Sequence, residues 1–336
     1  VLNFYLDIPP VAGMLIGAVL VLFYTAAGGL LAVSSTDLIQ GLIMLATLAI
    51  LPLAVLGELG GPAGLQQKLA AHGGDYLTLA PGQGWAATSA VLGSLGIGLG
   101  YMGQPHLVLR FMAIKSPDDV AKGRIIAVSW AVIAFFGAIL VGLTGLGHFG
   151  PEALGEGQLI ADQEHLLPLM ARTFMPEWLA VIMIVGAIAA MMSTADSQLL
   201  ASASAISEDI YRRLINPEAS QERLVALGRI ATLGVGVVGF LLAWTAEEFV
   251  YDMVLYAWAG LGAAFGPPLL LALHWSRTSR AGVLGGFVSG TLVVVLWYNV
   301  PFLNGLLYEM IPGFFVSLAV TILLSLLAPD DSPEEG

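Results

Sequence analysis

Residues 178–203 read WLAVIMIVGAIAAMMSTADSQLLASA: an unbroken apolar run that turns polar near its end, at Ser193, Thr194, Asp196 and Ser197. A helix that crosses a bilayer needs about 20 mostly apolar residues, and this run exceeds that. At helical spacing Ala190, Ser193, Thr194 and Ser197 fall at i, i+3, i+4 and i+7, so one small residue and three hydroxyls share a stripe. Asp196 stands three residues beyond Ser193 and beside Ser197. A charge at the centre of a membrane helix costs roughly 2.5–3.5 kcal/mol on insertion scales, which marks such residues as functional candidates. A small hard cation takes several oxygen ligands, and clustered hydroxyls with one carboxylate supply them. The plain alternative is packing through small residues, with the hydroxyls bonded back to the preceding turn.

The rest of the chain agrees with a membrane reading. Of its 336 residues 57% are hydrophobic and 11% charged, with mean hydropathy +0.87. Soluble domains are about one-quarter charged, so a water-soluble fold is excluded. The absence of cysteine excludes disulfides, thiol catalysis and thiolate metal sites. Nine apolar runs lie near 10–33, 37–57, 86–109, 125–147, 178–203, 225–244, 249–274, 281–300 and 309–328, which predicts an all-α polytopic membrane protein. The chain opens Val1-Leu2-Asn3-Phe4 with neither an initiator methionine nor a signal-peptide pattern, which leads us to expect missing upstream sequence.

Basic residues favour cytoplasmic loops. Arg110, Lys115, Lys122 and Arg124 follow the third run, Arg212, Arg213, Arg223 and Arg229 the fifth, and Arg277 and Arg280 the seventh, leaving only Lys68 and Arg172 opposite. The expected orientation therefore has the N-terminus outside and the C-terminus cytoplasmic, in the cell membrane. The same split puts most of the formal charge of −12 on the outer side, through groups such as Asp7, Glu58, Asp75, Glu152, Glu156, Asp162, Glu164, Glu177 and Glu309. Such a surface attracts cations, and equally suits high salt. The outer loops 58–85 and 148–177 are long enough for small helices, and 329–336 is a polar tail.

Two further places break the apolar pattern. In Gly93-Ser94-Leu95-Gly96-Ile97-Gly98-Leu99-Gly100-Tyr101-Met102-Gly103-Gln104-Pro105-His106 the glycines and the proline make a poor straight helix, and a local break is expected. Broken membrane helices expose backbone groups that hold a substrate or an ion, with Tyr101 and Gln104 beside this one; a kinked packing face is the alternative. In Ser34-Ser35-Thr36-Asp37-Leu38-Ile39-Gln40 the spacing of Asp37 and Gln40 fits a helix N-cap as well as a site. Glu247, Glu248 and Asp252 suit the first turns of the seventh run. No catalytic triad, phosphate-cradling loop or nucleic-acid patch is present, so neither an enzyme nor a nucleic-acid partner is expected, and oligomeric state is not encoded in any pattern.

Three strings resemble the sodium:solute symporter family, its sodium/proline branch in particular. They are Gly28-Gly29-Leu30-Leu31-Ala32-Val33-Ser34-Ser35-Thr36-Asp37 with Gln40; Gly98 to His106 with Arg110-Phe111-Met112-Ala113-Ile114; and Met192-Ser193-Thr194-Ala195-Asp196-Ser197-Gln198-Leu199-Leu200 with Ser207-Glu208-Asp209-Ile210-Tyr211. The resemblance implies a leucine-transporter-type fold of two inverted five-helix repeats. It makes 10–57 the end of the first repeat, 86–274 the second repeat and 281–328 terminal additions, all in one transmembrane domain from which the first four helices are missing. By position it implies a sodium ion on the Ala190 carbonyl and the Ser193 and Thr194 hydroxyls, completed by a missing helix. A second sodium of some relatives maps onto Asp37, Ser193, Asp196 and Ser197, with Asp196 replacing a hydroxyl. Tyr101, Gln104 and Pro105 match the substrate region of proline transporters, whose tryptophan four residues before the tyrosine is Ile97 here.

These readings lead to an expected function: sodium-coupled symport of a small solute, proline first, held in a lipid bilayer with Na+ as the coupling ion. Another amino acid or a carboxylate such as pantothenate is the transport alternative. A symporter-like sensory module is the alternative from a different class. The truncated chain by itself is expected neither to bind sodium normally nor to transport.

Overall fold

The computed structural model describes residues 8–73, 76–78, 82–155, 158–160, 163–245 and 250–330, and it is helical with no strand among them. Asp7, Asp75, Glu156, Asp162, Glu247, Glu248 and the tail from 331 onward lie outside the described residues. The helices are α1 (Pro10–Glu58), α2 (Gly61–Ala71), α3 (Trp85–Gly96), α4 (Pro105–Met112), α5 (Pro117–Phe149), α6 (Leu166–Phe174), α7 (Glu177–Ser204), α8 (Gln221–Thr245), α9 (Val250–His274), α10 (Arg280–Asn299) and α11 (Met310–Leu327). The loops 58–85 and 148–177 carry α2 and α6, the small helices expected there. Eight described helices are long and apolar enough to cross a membrane, with α1 counted once. Their large side chains point outward, as in Phe23 (73% exposed), Leu31 (81%) and Leu273 (71%). Helices that show this much apolar surface need lipid as their solvent, and the chain is a multi-pass membrane protein.

Helix α1 resolves the difference between eight and nine. Its 49 residues would extend about 74 Å at 1.5 Å per residue, over twice the hydrocarbon thickness. Gly29 interrupts it with φ 56 and ψ −153, a conformation that glycine reaches at no steric cost. The Gln40 side chain lies close to the Tyr24 hydroxyl, although 16 residues of straight helix would separate the two by about 24 Å. The arms 10–28 and 30–58 therefore double back at Gly29, and the nine crossings are recovered. This corrects the connection expected at Ser34–Asp37. Ser35 Oγ donates to the Leu31 carbonyl at 2.8 Å and Thr36 Oγ1 to that of Ala32 at 3.0 Å, as hydroxyls do inside a helix. Asp37 is thus a mid-helix residue and not a cap.

The chain divides into two compact units. The first, Val1–Leu77 with Ile114–Ala246, packs the second arm of α1 against α5, α6 and α7 around Leu51, Val55, Val141, Met170, Met183 and Ile184. Small residues let these backbones approach: a Cβ on Gly137 would strike the Leu48 carbonyl, and one on Gly186 would come within 2.5 Å of Thr47 Oγ1. Ser116 caps α5 by accepting from the Asp119 amide at 3.3 Å. Beyond α7 the chain continues as a π-helix, Ala205–Ile215, braced by Arg212 on Glu208 at 3.1 Å.

The second unit, Thr78–Ala113 with Glu247–Gly336, is built on α9, α10 and α11 around Ala259, Ala263, Val294, Met310 and Phe314. Gly282, Gly286 and Gly290 repeat every four residues along α10 and meet Ser317, Thr321 and Ser325 of α11 at the same spacing. The chain leading into α11 is gripped by indoles, Trp85 Nε1 donating to the Leu306 carbonyl at 3.1 Å and Trp297 Nε1 to that of Leu307 at 2.9 Å. Asp330, just past α11, accepts the Arg280 amide on both carboxylate oxygens at 3.1 and 3.0 Å.

Glu309, immediately before α11, is only 4% exposed, and burial raises its carboxyl above the usual range. A raised pKa favours the folded state below the ordinary glutamate value, and that contribution is lost as pH rises through the folded value. Stability is therefore expected to fall as pH climbs out of the acidic range, and Glu309→Gln is expected to flatten that decline. Thermal unfolding of the two proteins in detergent across pH 4 to 8 measures it.

Candidate functional site

In the first unit α7 carries the hydroxyl stripe. Ser193 Oγ donates to the Ala190 carbonyl at 3.0 Å and Thr194 Oγ1 to the same carbonyl at 3.1 Å, so the three oxygens assigned to a sodium ion are brought together. Ser193 is half-buried and Thr194 exposed. Both hydroxyl oxygens keep lone pairs in this arrangement, so they can take a cation while their O–H groups stay donated to the Ala190 carbonyl. The donor set is all oxygen and neutral, which suits a monovalent hard cation. No group of three or more His, Cys, Asp and Glu able to hold a metal occurs among the described residues, so a transition-metal centre has no donor set there.

One turn further along α7, Asp196 is fully buried and Ser197 nearly so. Tyr24 donates its hydroxyl to Asp196 Oδ2 at 2.6 Å, and Ser197 Oγ shares its one proton between the Ser193 carbonyl at 2.7 Å and Oδ1 at 3.2 Å. Asp37 and Gln40, on the second arm of α1, face the same Tyr24 hydroxyl. Of the expected second group, Ser193, Asp196 and Ser197 are neighbours on α7 and Asp196 meets Tyr24, while Asp37 lies near Tyr24 on the second arm of α1. Sequence reasoning missed Tyr24. It lies on the far side of the Gly29 reversal from Asp37 and Gln40, where no helical periodicity connects them.

In the second unit the expected break is present. The helix α3 ends at Gly96, a 3₁₀ stretch occupies Ile97–Gly103, and Gln104 is extended at ψ 110 before Pro105 opens α4 at a position that needs no N–H. The stretch leans on α9. Trp258 Nε1 donates to the Ile97 carbonyl at 2.9 Å, its ring meets Tyr101 edge-on at 4.8 Å, and Gly100 and Gly103 lie against Trp258 and Gly262. Tyr101 remains 43% exposed. Gln104 is 1% exposed, with Nε2 donating to the carbonyls of Gly100 at 3.2 Å and Trp258 at 3.1 Å, so it clamps the break to α9. Of the four residues assigned to substrate, Tyr101 offers the most accessible side chain, Ile97 and Pro105 are half-buried, and Gln104 is enclosed. Gln104→Leu is expected to destabilise the protein by about 1–3 kcal/mol, because it strips a donor from buried carbonyls. A lowered unfolding midpoint in detergent is the readout.

A profile of the sodium:solute symporter family matches residues 2–290 of the chain. The chain belongs to the sodium:solute symporter family. Over 318 residues it is 37% identical to the high-affinity proline transporter PutP of Bacillus subtilis, covering 94% of this chain and 65% of that protein. It is 36% identical over 311 residues to the sodium/proline symporter of Escherichia coli, covering 93% and 61%. The chain therefore spans under two-thirds of the length of these relatives. A solved structure titled as the substrate-bound, outward-open state of a Na+-coupled sialic acid symporter superposes with TM-score 0.79 at 20% identity, over 98% of this chain and 69% of that one. That likeness carries the fold, of leucine-transporter type.

Proposed function

We propose that this chain forms part of a sodium-coupled symporter that carries proline. The observation that supports the sodium half most directly is the convergence of the Ala190 carbonyl with the Ser193 and Thr194 hydroxyls on α7. The substrate half rests on the proline transporters to which the chain is 36–37% identical and on the broken stretch 97–104 with Tyr101 exposed beside it. In this reading sodium binds at α7, favours the substrate-ready arrangement, and a small zwitterion meets the backbone groups that the break releases. Each positive charge crossing 100 mV releases about 2.3 kcal/mol before any concentration gradient is added, which is an adequate source for accumulation. The first arm of α1 enters from the outer face, and the end of α11 is cytoplasmic, following the basic residues at 110–124, 212–229 and 277–280.

The test is uptake of labelled proline by the full-length protein in proteoliposomes, with and without an inward sodium gradient. Uptake that depends on the gradient supports the reading. Gradient-independent or absent uptake overturns proline as the substrate, and a panel of amino acids and carboxylates, pantothenate included, then tests the class.

A further inference from the structure

Resting on the sodium reading above, and on a second sodium at the group of Asp37, Ser193, Asp196 and Ser197, we propose that Tyr24 is a positioning residue of the symporter: it holds the Asp196 carboxylate in place for that second cation and thereby sets sodium affinity without touching proline. Tyr24 lies on the first arm of α1 and bonds Asp196 of α7, with Asp37 and Gln40 of the second arm close to its hydroxyl. A phenol has one proton to donate. Here the proton goes to Asp196, at the short distance of 2.6 Å that marks a hydroxyl bonded to a carboxylate. The direction of the remaining bonds follows. Tyr24 donates to Oδ2 of Asp196, Gln40 lies close to the Tyr24 oxygen, and Ser197 shares its one proton between the Ser193 carbonyl at 2.7 Å and Oδ1 at 3.2 Å. The Oδ2 oxygen is thus fixed in orientation by a donor from a different helical segment.

Burial makes this fixing consequential. Asp196 is 0% exposed, and a buried carboxylate in a membrane is costly unless donors compensate it. Tyr24 supplies compensation in the absence of a cation and an oriented ligand in its presence. Gln40 Oε1 is also buried and has no hydrogen-bond partner among the described residues, which leaves an amide oxygen in the same cluster. Because the Gly29 reversal is what carries Tyr24 back to Gln40, the arrangement depends on the geometry of α1, so cation binding and the packing of the two arms are linked through one hydroxyl.

The experiment uses the full-length protein and two readouts: sodium dependence of the thermal unfolding midpoint in detergent, and sodium dependence of proline uptake in proteoliposomes. Loss of an outer-shell partner of a metal ligand typically costs about 10–100-fold in metal affinity. Tyr24→Phe is therefore expected to raise the half-saturating sodium concentration at least about tenfold in both readouts, while the proline KM at saturating sodium changes by less than about twofold. Tyr24→Phe added to Asp196→Asn is expected to change nothing further, since the bond it removes serves that carboxylate. If Tyr24→Phe is not recovered from the membrane, Gln40→Leu removes the polar group beside the Tyr24 hydroxyl and is expected to weaken sodium in the same direction. Unchanged half-saturating sodium in Tyr24→Phe or in Gln40→Leu, or independent effects of Tyr24→Phe and Asp196→Asn, overturns the proposal and leaves the symporter reading standing. No sodium response of any kind in the unsubstituted protein overturns the symporter reading and the proposal together.

Discussion

Replacing Ser193 and Thr194 together by alanine is expected to abolish sodium-driven uptake at physiological sodium. The two hydroxyls share the Ala190 carbonyl as acceptor and are the only side-chain oxygens among the three atoms assigned to the ion. An oxygen facing a charged partner contributes roughly 1.5–3 kcal/mol, and about 1.4 kcal/mol is tenfold in affinity. Removing two therefore weakens sodium by at least about a hundredfold, and coupling falls with it. The fold is expected to tolerate the change, because each hydroxyl is bonded only to its own helix and Thr194 is exposed. Measured uptake and sodium-dependent stabilisation should both collapse, with protein level in the membrane unchanged. Uptake that survives at low sodium would remove these oxygens from the site.

Gly103→Val is expected to have the largest effect on folding. A Cβ at Gly103 would lie 2.7 Å from Gly262 Cα, 2.7 Å from the Leu261 carbonyl and 2.8 Å from the Gly262 carbonyl, all backbone atoms that no side-chain rotation can move. The approach is equally close one turn earlier, where a Cβ at Gly262 would come within 2.6 Å of Gly100 Cα. Overpacking typically costs about 1–3 kcal/mol where neighbours can adjust. Here the 3₁₀ stretch or α9 must shift as a whole, so the upper end of that range is expected, as sharply reduced recovery of folded protein after detergent extraction. Gly98→Val is the matched control, with nothing within 4 Å of its Cβ.

The amino-acid pattern gave the membrane class, the placement of the crossings and the break at 97–104, because each follows from local physics: apolar run length, and the weakness of Gly and Pro in a helix. It also grouped Ala190, Ser193 and Thr194, since one helix face is readable from spacing alone. It put the first reversal too late. The string Ser34-Ser35-Thr36-Asp37 looks like a helix start, yet those hydroxyls can satisfy themselves within a helix, and Gly29 alone accepts φ 56. That one error hid Tyr24, whose meeting with Gln40 and Asp196 exists only after the chain folds back. The clamping of Gln104 to the Trp258 carbonyl was likewise illegible, because its partner is 154 residues away.

The reversal at Gly29 also bears on how the protein enters the bilayer. Residues 10–58 contain no lysine or arginine, so nothing at this turn can be held back electrostatically during insertion. The two arms must pass into lipid as a helical hairpin whose orientation is dictated from elsewhere in the chain. Topogenesis of this segment is thus a non-local event, and a lysine introduced at Ser34 would give the hairpin an address of its own.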